Sequence, residues 1–339
     1  MIIPVSLGER SYDIVVERGA LGKINTLLDL DRKVLIVTDS GVPADYSETV
    51  KSLSKEGYIF TVPSGEESKS ISTFEKLLCF MLEKGFSRKD CVVAVGGGVV
   101  GDLSGFTAAC YMRGIDFYNL PTTVLSQVDS SIGGKTAVNL SNIKNIVGAF
   151  YQPKKVVIDP DTLKTLPARQ ISNGLAEAVK MSLTSDKELF DIFENGDIYG
   201  SIDVIIERSL KIKRYVVEQD ERESGLRKIL NFGHTVGHGV ESEGAKSGMY
   251  HGECVAVGMV AMCGENVRKR LLKVLNKLSL PVCCDFDAKA IYDAVLHDKK
   301  ASGGKIDVIT VNEIASFEIV STTPDKLYEK ICSIVKVSE

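Results

Sequence analysis

The chain has no tryptophan, only four histidines and no excess of basic residues among its 339 residues. Its formal net charge of −4 gives no electrostatic reason to expect binding to nucleic acid. The eight cysteines form no Cys-X-X-Cys pair and lie mostly in apolar segments, as reduced and buried thiols do. No apolar run approaches the roughly 18 residues that a membrane-spanning helix needs, and the chain does not open with a basic segment followed by an apolar one. We therefore predict a cytoplasmic protein that binds neither nucleic acid nor membrane.

Segments rich in β-branched and apolar residues alternate with helical patterns between residues 33 and 159. This alternation predicts a parallel sheet with helices on both faces, and the segments MIIPVSL and SYDIVVE predict a hairpin at its edge. After residue 167 helical patterns predominate, with one probable strand, IDVITV, near the end. We predict an α/β, Rossmann-like dinucleotide-binding domain over residues 1–167, followed by an all-α domain over residues 168–339.

A glycine-rich motif follows the third of the predicted parallel strands. Gly96, Gly98 and Gly101 satisfy G-x-G-x-x-G between a strand and a helix, the context in which a helix N-terminus binds pyrophosphate. The motif does not lie on the first strand, so a tight turn without a ligand stays open as an alternative. Asp39, at the end of the strand KVLIVTD, is a candidate for a ribose hydroxyl.

A second glycine-containing segment resembles the end of a nucleotide triphosphate loop at Gly134, Lys135 and Thr136. That loop requires glycine five positions before Gly134, and residue 129 is aspartate, which excludes it. Asp129, Lys135, Lys144 and Asn145 remain, either as site residues or as solvated loop charges.

Three of the four histidines lie within residues 230–254. His234 and His238 are spaced i, i+4 and share one helix face, and His251 follows a Gly- and Ser-containing loop. This clustering predicts a catalytic zinc site, which takes three protein ligands and leaves a position open, with one ligand still to be found elsewhere. The helix is not that of a zinc protease, because Thr235 stands where the general-base glutamate would follow His234.

Two charged positions on predicted helices have alternative interpretations. Glu177 and Lys180 stand at i, i+3, and a solvated ion pair is the simpler interpretation of these two alone. Lys213 projects from near the centre of the apolar face of a helix over residues 202–217. It either snorkels to solvent or reaches a pocket where an anion compensates its charge. We favour the pocket because Arg227 and Asn231 follow shortly afterwards and lead to the histidines.

Several motifs occur together in order between residues 63 and 305, among them GGGVVGDLSGF, YMRGI, LPTTVLSQVDSSIGGKTAVN, KNIVGAF, GLAEAVK, LNFGHTVGH and HGECVAVGM. Taken together they resemble the 3-dehydroquinate synthase family of sugar-phosphate cyclases. The resemblance implies a homodimer with NAD and one divalent ion, zinc or cobalt, as cofactors. The sequence departs from the family pattern at Ala137 and at Met181 and Ser182, where no functional group is lost.

The resemblance also implies roles for individual residues. The metal ligands would be Glu177, His234 and His251. Catalysis would fall to His238, Glu223, Lys135, Lys180 and Arg227. The sugar phosphate would contact Asp129, Lys135, Lys144, Asn145, Lys180, Lys213, Arg227, Asn231, His238, one or both of Lys299 and Lys300, and Arg113 from the neighbouring subunit. NAD would contact Asp39, Glu66, Lys69, Gly97, Gly98, Val99, Val100, Gly101, Asp102, Thr122, Thr123, Lys135, Lys144, Thr162 and Thr165.

The implied reaction converts 3-deoxy-D-arabino-heptulosonate 7-phosphate into 3-dehydroquinate and phosphate, a step of the shikimate pathway. A hydroxyl is oxidised, phosphate is eliminated, the ketone is reduced again and an aldol closure forms the ring. Alternatives are a cyclase that makes an inosose or valiolone, a metal-dependent polyol dehydrogenase, and a metabolite-binding regulatory protein. Arg227 and Asn231 argue against the first of these.

Overall fold

Apolar, largely β-branched segments form a seven-stranded sheet in the computed structural model, which describes residues 1–141, 143–244, 248–298 and 306–336. The chain divides into two units, Met1–Leu166 with Lys213–Glu218, and Pro167–Ile212 with Gln219–Glu339. The sheet lies in the first unit and has the strand order β1-β2-β9-β6-β5-β3-β4. Its strands are β1 (Ile2–Val5), β2 (Tyr12–Val16), β3 (Lys33–Asp39), β4 (Glu56–Val62), β5 (Cys91–Gly96), β6 (Asp116–Pro121) and β9 (Lys155–Ile158). The α/β fold and the edge hairpin are confirmed, because only the β1–β2 pair of this sheet is antiparallel.

Both faces of this sheet are buried, which explains why its central strands are apolar without interruption. On β3, Leu35 and Val37 belong to one hydrophobic cluster, whereas Val34 and Ile36 belong to another on the opposite face. Helices of the first unit cover the two faces; they are α1 (Ile24–Leu27), α2 (Ala44–Ser52), α3 (Ile71–Glu83) and α4 (Gly98–Cys110). The Ser70 hydroxyl caps α3 by accepting a hydrogen bond from the Thr73 amide at 3.2 Å. Because the strands other than β1 run parallel, their carboxyl ends lie at one edge of the sheet.

A separate antiparallel pair follows β6. It consists of β7 (Lys135–Leu140) and β8 (Ile143–Phe150). The sequence predicts only a glycine-containing segment here, and the structure corrects this prediction with two paired strands. Strand β8 could not be predicted because it places apolar residues, among them Ile146 and Phe150, at exposed positions. Its sequence therefore lacks the two-residue alternation of apolar and polar residues that indicates a strand.

The second unit is mainly helical. Its helices are α5 (Ala168–Ser185), α6 (Lys187–Asn195), α8 (His234–Gly244), α9 (His251–Met262), α10 (Glu265–Lys277), α11 (Ala288–Asp298) and α12 (Pro324–Cys332), and α7 (Ile202–Gln219) contributes residues to both units. The predicted late strand is confirmed as β10 (Ile306–Thr310), which pairs antiparallel with β11 (Glu318–Thr322). Among the described residues, no helix has the length and apolar content needed to span a bilayer. The domain boundary near residue 167 stays a prediction.

Candidate active site

The glycine-rich turn joins β5 to α4, as the sequence predicts. Gly97 caps the helix and Gly98 begins it. A Cβ on Gly98 would lie 3.0 Å from the Ser130 hydroxyl, and one on Gly101 would lie 3.2 Å from the Asn119 amide nitrogen. The glycines therefore serve close packing around the first turn of α4, which includes the predicted NAD contacts Val99 and Val100. The amides of that turn have no intrahelical partner and lie at the positive end of the helix dipole, an arrangement that binds anions.

A polar cluster of predicted NAD and substrate contacts lies in the same unit. The Lys69 ammonium is buried and contacts both the Asp102 carboxylate and the Asn145 side-chain oxygen. Glu66 accepts a hydrogen bond from the Asn139 side chain at 2.9 Å, and Asn139 in turn accepts one from the Asn145 amide at 2.9 Å. Asn145 has a positive φ of 58°, so a hydrogen-bonded bend positions its side chain towards Lys69. The cluster fixes residues that are distant in sequence.

Other predicted NAD contacts lie at the carboxyl ends of parallel strands, where ligands of such sheets bind. They are Asp39 at the end of β3, Thr122 and Thr123 after β6, and Thr162 and Thr165 in the turn Pro160–Thr165 after β9. Gln127 donates to the Pro121 and Asp159 carbonyls and to the Thr162 hydroxyl at 3.0–3.1 Å, which ties the ends of β6 and β9 together. Tyr46 lies 3.1 Å from the Thr165 hydroxyl and lines a small cavity there with Val95 and Thr122.

The predicted pocket lysine is paired with an acidic residue. Asp129 lies in a π-helical turn, Ser126–Ser130, a rare conformation that is frequent at functional sites. The Lys213 ammonium lies 2.7 Å from the Asp129 carboxylate and donates to the Asp129 carbonyl at 2.6 Å. Lys213 is only 5% exposed, so it does not snorkel to solvent. Asp129 is an anion that compensates the charge of Lys213, which agrees with the interpretation that this lysine reaches a pocket. Contact between Lys213 and a substrate stays a prediction.

Glu177, His234 and His251 meet in the second unit, with ligand atoms within 4.8 Å of one another. Helix α5 carries the glutamate, and the two histidines are the first residues of α8 and α9. These two helices approach closely at glycines, because a Cβ on Gly258 would overlap the Gly233 carbonyl oxygen and one on Gly237 would lie 3.1 Å from the Val255 backbone. The Glu177 carboxylate is therefore placed where it could supply the ligand that the histidine spacing left unidentified.

The distances of this group fit a metal ion. The Nε2 atoms of His234 and His251 each lie 3.6 Å from the same oxygen of Glu177. Ligands about 2.1 Å from a tetrahedral ion stand roughly 3.4 Å apart, so little movement is needed. Both Glu177 oxygens are buried without a well-formed hydrogen bond, although the Lys180 ammonium is in ion-pair contact. The solvated ion pair considered for these two residues is wrong, since Glu177 is 0% and Lys180 2% exposed.

Electrostatics prepare the group for a cation. Burial opposes the charge of Glu177, but the charges of Lys180 and His251 outweigh it and hold the pKa of the carboxyl well below its usual range. Burial and the nearby Lys180 lower the pKa of His234 to about 3, which leaves a neutral imidazole. Burial likewise opposes the charge of His251, but the nearby carboxylates of Glu177 and Glu241 raise its pKa to about 10. A divalent ion would take the place of the His251 proton, as ligand histidines must be neutral.

Helix α5 also holds the start of α9, a role that the sequence analysis missed. Arg169 makes a two-pronged ion pair with Glu253 at 2.6 and 2.8 Å. One turn later, the Asn173 side chain accepts a hydrogen bond from the Gly252 amide at 2.7 Å. A further turn along α5 comes Glu177. Their i, i+4, i+8 spacing is the only sequence signal, and its partner could not be identified before α9 was placed.

A tight turn precedes the histidine helix and holds the predicted residues Glu223, Arg227 and Asn231, whereas His238 lies on the helix itself. Asp220 accepts hydrogen bonds from three backbone amides of residues 224–227 at 2.6–3.0 Å. Glu223 has a positive φ of 62° and accepts a hydrogen bond from the Asn231 side chain at 2.6 Å. Arg227 is buried and donates to the Glu221 carbonyl. The turn thus presents the predicted proton acceptor Glu223 on strained backbone.

Other predicted residues lie at the surface of the first unit. Lys135 opens β7 and Lys144 lies on β8, both exposed. Arg113 is exposed next to Met112, and both have positive φ, 71° and 49°. Lys299 and Lys300 lie outside the described residues.

Two family models match adjacent parts of the chain. The model described as 3-dehydroquinate synthase N-terminal matches residues 59–173, and the one described as 3-dehydroquinate synthase C-terminal matches residues 174–301. A curated 3-dehydroquinate synthase of Enterococcus faecalis is 42% identical over an alignment of 348 positions that covers 96% of this chain and 97% of that protein.

Solved structures of sugar-phosphate cyclases are also similar. A crystal structure of 2-deoxy-scyllo-inosose synthase with carbaglucose-6-phosphate, NAD+ and Co2+ has a TM-score of 0.90 at 25% identity, covering 99% of this chain and 100% of that one. The 2-epi-5-epi-valiolone synthase of Streptomyces hygroscopicus, with NAD+ and Zn2+ bound, has a TM-score of 0.88 at 28% identity, covering 97% and 98%. Both family models, the identity along almost the whole chain and the buried carboxylate–histidine group agree that this chain belongs to the 3-dehydroquinate synthase family.

Proposed function

We propose that the protein converts 3-deoxy-D-arabino-heptulosonate 7-phosphate into 3-dehydroquinate and phosphate, and that it binds NAD and one divalent ion, zinc or cobalt. It is a phosphate-eliminating lyase of the shikimate pathway. The observation that carries the proposal is the buried group of Glu177, His234 and His251, in a chain that aligns with a curated family member over 96% of its length. The conversion has no net redox change, since the substrate hydroxyl that is oxidised is later restored.

Bound NAD supplies a reversible hydride acceptor, and the divalent ion supplies Lewis-acid polarisation of a substrate hydroxyl. Glu177 and the two ligand histidines hold the ion, and buried Lys180 keeps Glu177 ionised. His238 lies beside them, with its ring centroid 5.3 Å from that of His234, and moves protons to and from substrate. Glu223 is the second proton acceptor, with its carboxylate oriented by the Asn231 amide.

Phosphate and carboxylate on one substrate call for several cationic side chains, which bind such groups best when water is excluded. We assign this binding to the lysines and arginines predicted from the sequence, together with polar partners. The full set is Arg113, Asp129, Lys135, Lys144, Asn145, Lys180, Lys213, Arg227, Asn231, His238 and one or both of Lys299 and Lys300. NAD binds along the start of α4 and the carboxyl ends of the strands.

The protein is a cytoplasmic homodimer in this proposal, with Arg113 acting across the interface. Two adjacent non-glycine residues with positive φ, Met112 and Arg113, hold an exposed turn in a strained conformation, which is more common at functional than at structural positions. Mixing Arg113→Ala subunits with His238→Ala subunits tests this, because each hybrid dimer would regain one intact site. Recovery of activity on mixing supports action across the interface, and its absence in a verified hybrid argues against it.

The reaction is tested by measuring phosphate release and NADH absorbance together on the same sample. We expect many phosphates released per NAD, no accumulation of NADH, and loss of turnover after chelation that zinc or cobalt restores. Accumulation of NADH in proportion to substrate would identify a polyol dehydrogenase. Turnover of other sugar phosphates in place of the heptulosonate would identify an inosose or valiolone cyclase. Binding of the heptulosonate phosphate without turnover would identify a regulatory protein.

A further inference from the structure

The two histidines of the proposed metal site are both held through their Nδ1 atoms, but by different acceptors. His234 Nδ1 lies 3.2 Å from the backbone carbonyl of Phe232. His251 Nδ1 lies 3.1 Å from a carboxylate oxygen of Glu241. Carbonyl and carboxylate oxygens only accept hydrogen bonds, so each Nδ1 carries the hydrogen. In both rings the lone pair of the neutral imidazole is therefore on Nε2, the atom that faces Glu177.

Glu241 reaches His251 because of its place on α8. Counting from His234, the positions i, i+4 and i+7 are His234, His238 and Glu241, which share one face of the helix. The Glu241 side chain is 18% exposed, whereas His251 is 31% exposed and is the most accessible of the three ligands. Because His251 is the least enclosed of the three, a second contact does most to fix the orientation of its ring.

We propose that Glu241 is a positioning residue for the metal site. By accepting the Nδ1 hydrogen of His251, it selects the tautomer that presents Nε2 to the ion, fixes the ring plane and increases the basicity of the ligand. Partners of this kind orient metal-ligating histidines, and their loss typically weakens metal binding on the order of 10–100-fold. The inference rests on the proposed metal site and adds to it a residue that contacts neither ion nor substrate.

The same carboxylate has one alternative use. His238, Glu241 and His251 offer ligand atoms within 4.8 Å of one another and could hold a second ion. That ion would need the lone pair of His251 Nδ1, so the ring would have to lose both protons and bridge two cations. A hydrogen bond needs only the neutral ring and agrees with the 3.1 Å separation. We therefore assign Glu241 the role of holding His251 at the site of Glu177, His234 and His251, and not the role of ligand to a second ion.

The test compares metal binding by the full chain and three variants. Metal-free protein is titrated with Co2+ in competition with a chromophoric chelator, and its melting temperature is recorded with and without Co2+. Glu241→Ala removes the acceptor, whereas Glu241→Gln keeps an oxygen that can accept the same hydrogen bond. Glu243→Gln is the matched control, since it removes a half-buried carboxylate two residues away on α8.

We expect one ion per wild-type chain, binding on the order of 10–100-fold weaker in Glu241→Ala, and recovery of most of this loss in Glu241→Gln. The rise in melting temperature on adding Co2+ should be largest for wild type, slightly smaller for Glu241→Gln and smallest for Glu241→Ala, because it reports binding to the folded state. Glu243→Gln should match wild type. A purely structural role would lower the melting temperature of the metal-free protein and leave Co2+ affinity unchanged.

Three outcomes would overturn the inference. Wild-type affinity in Glu241→Ala would show that His251 needs no such partner, and equal losses in the Ala and Gln variants would show that hydrogen-bond acceptance is not the cause. A second ion that is lost with Glu241 would assign the carboxylate as a ligand. Failure of wild-type protein to bind any Co2+ would instead refute the metal site on which the proposal rests.

Discussion

Replacing Lys213 with methionine separates the structural from the catalytic use of a buried charge. Methionine keeps most of the stem volume and removes the ammonium that contacts the carboxylate and carbonyl of Asp129. A buried lysine without a partner would make the substitution stabilising. The observed ion pair reverses the expected sign, because methionine leaves the Asp129 carboxylate without this partner.

The size of the effect follows from the burial of the two side chains, 6% exposed for Lys213 and 22% for Asp129. Breaking a fully buried ion pair by removing one member costs about 3–5 kcal/mol. Because a fifth of the Asp129 side chain remains accessible to water, we expect a loss at or just below the lower limit of this range, about 2–3 kcal/mol in the free energy of unfolding. Activity should fall more than about tenfold, equivalent to at least about 1.4 kcal/mol of transition-state stabilisation.

A double-mutant cycle measures this directly. Lys213→Met, Asp129→Asn and the double variant are unfolded in urea, and the free energies of unfolding are compared with wild type. The double variant should recover most of the stability lost in Lys213→Met, since no buried charge is then uncompensated, but it should recover no activity.

Additive losses in stability would refute the pairing argument, because independent sites show no coupling energy. Near-normal turnover in a destabilised Lys213→Met would show that the lysine serves structure alone, and substrate contact by α7 would then be wrong. Unchanged stability and unchanged turnover together would refute both parts.

Two further predictions follow from the second unit. Burial opposes the charge of Asp220, but amides of Arg227, Gly225 and Ser224 outweigh it and lower its pKa from 3.8 to about 2, so its stabilising effect exists above pH 3.8 and is lost as the pH falls towards 2. The gap in unfolding free energy between wild type and Asp220→Asn should therefore close over that interval in urea unfolding, and a gap independent of pH would contradict it. Gly252→Ala places a Cβ against the Asn173 carbonyl oxygen, so it should lower the free energy of unfolding by about 1–3 kcal/mol and weaken Co2+ binding. Gly22→Ala is the control and should change neither quantity, because a Cβ there meets nothing within 4 Å. Wild-type Co2+ affinity in Gly252→Ala would contradict the packing argument.

Patterns that are local in sequence predicted much of the fold. The parallel strands and the edge hairpin show themselves through uninterrupted apolar runs, because both sheet faces are covered. The metal site could be predicted because the chain has only four histidines and three of them lie within residues 230–254. Strand β8 could not be predicted, since its exposed Ile146 and Phe150 give no period.

The environment of Glu177 could not be predicted from its neighbours either. Beside Lys180 it resembles a surface ion pair, and only the packing of α9 against α5 and of α8 against α9 shows that both side chains are buried. Glu241 gave no signal at all, because a glutamate on an amphipathic helix is ordinary until the ring that it contacts is placed. Pairings between distant residues were thus the part that required the structure.

Helix α5 contacts the start of α9 at three residues spaced about one helical turn apart, Arg169, Asn173 and Glu177. An inserted residue would rotate everything beyond it by about 100°. Insertion between Asn173 and Glu177 would turn the carboxylate away from His251 while the first two contacts kept α9 in place. The number of residues between these three contacts is therefore a constraint that no single substitution reveals. Replacing α5 with the corresponding helix of a relative should succeed only when this number is preserved.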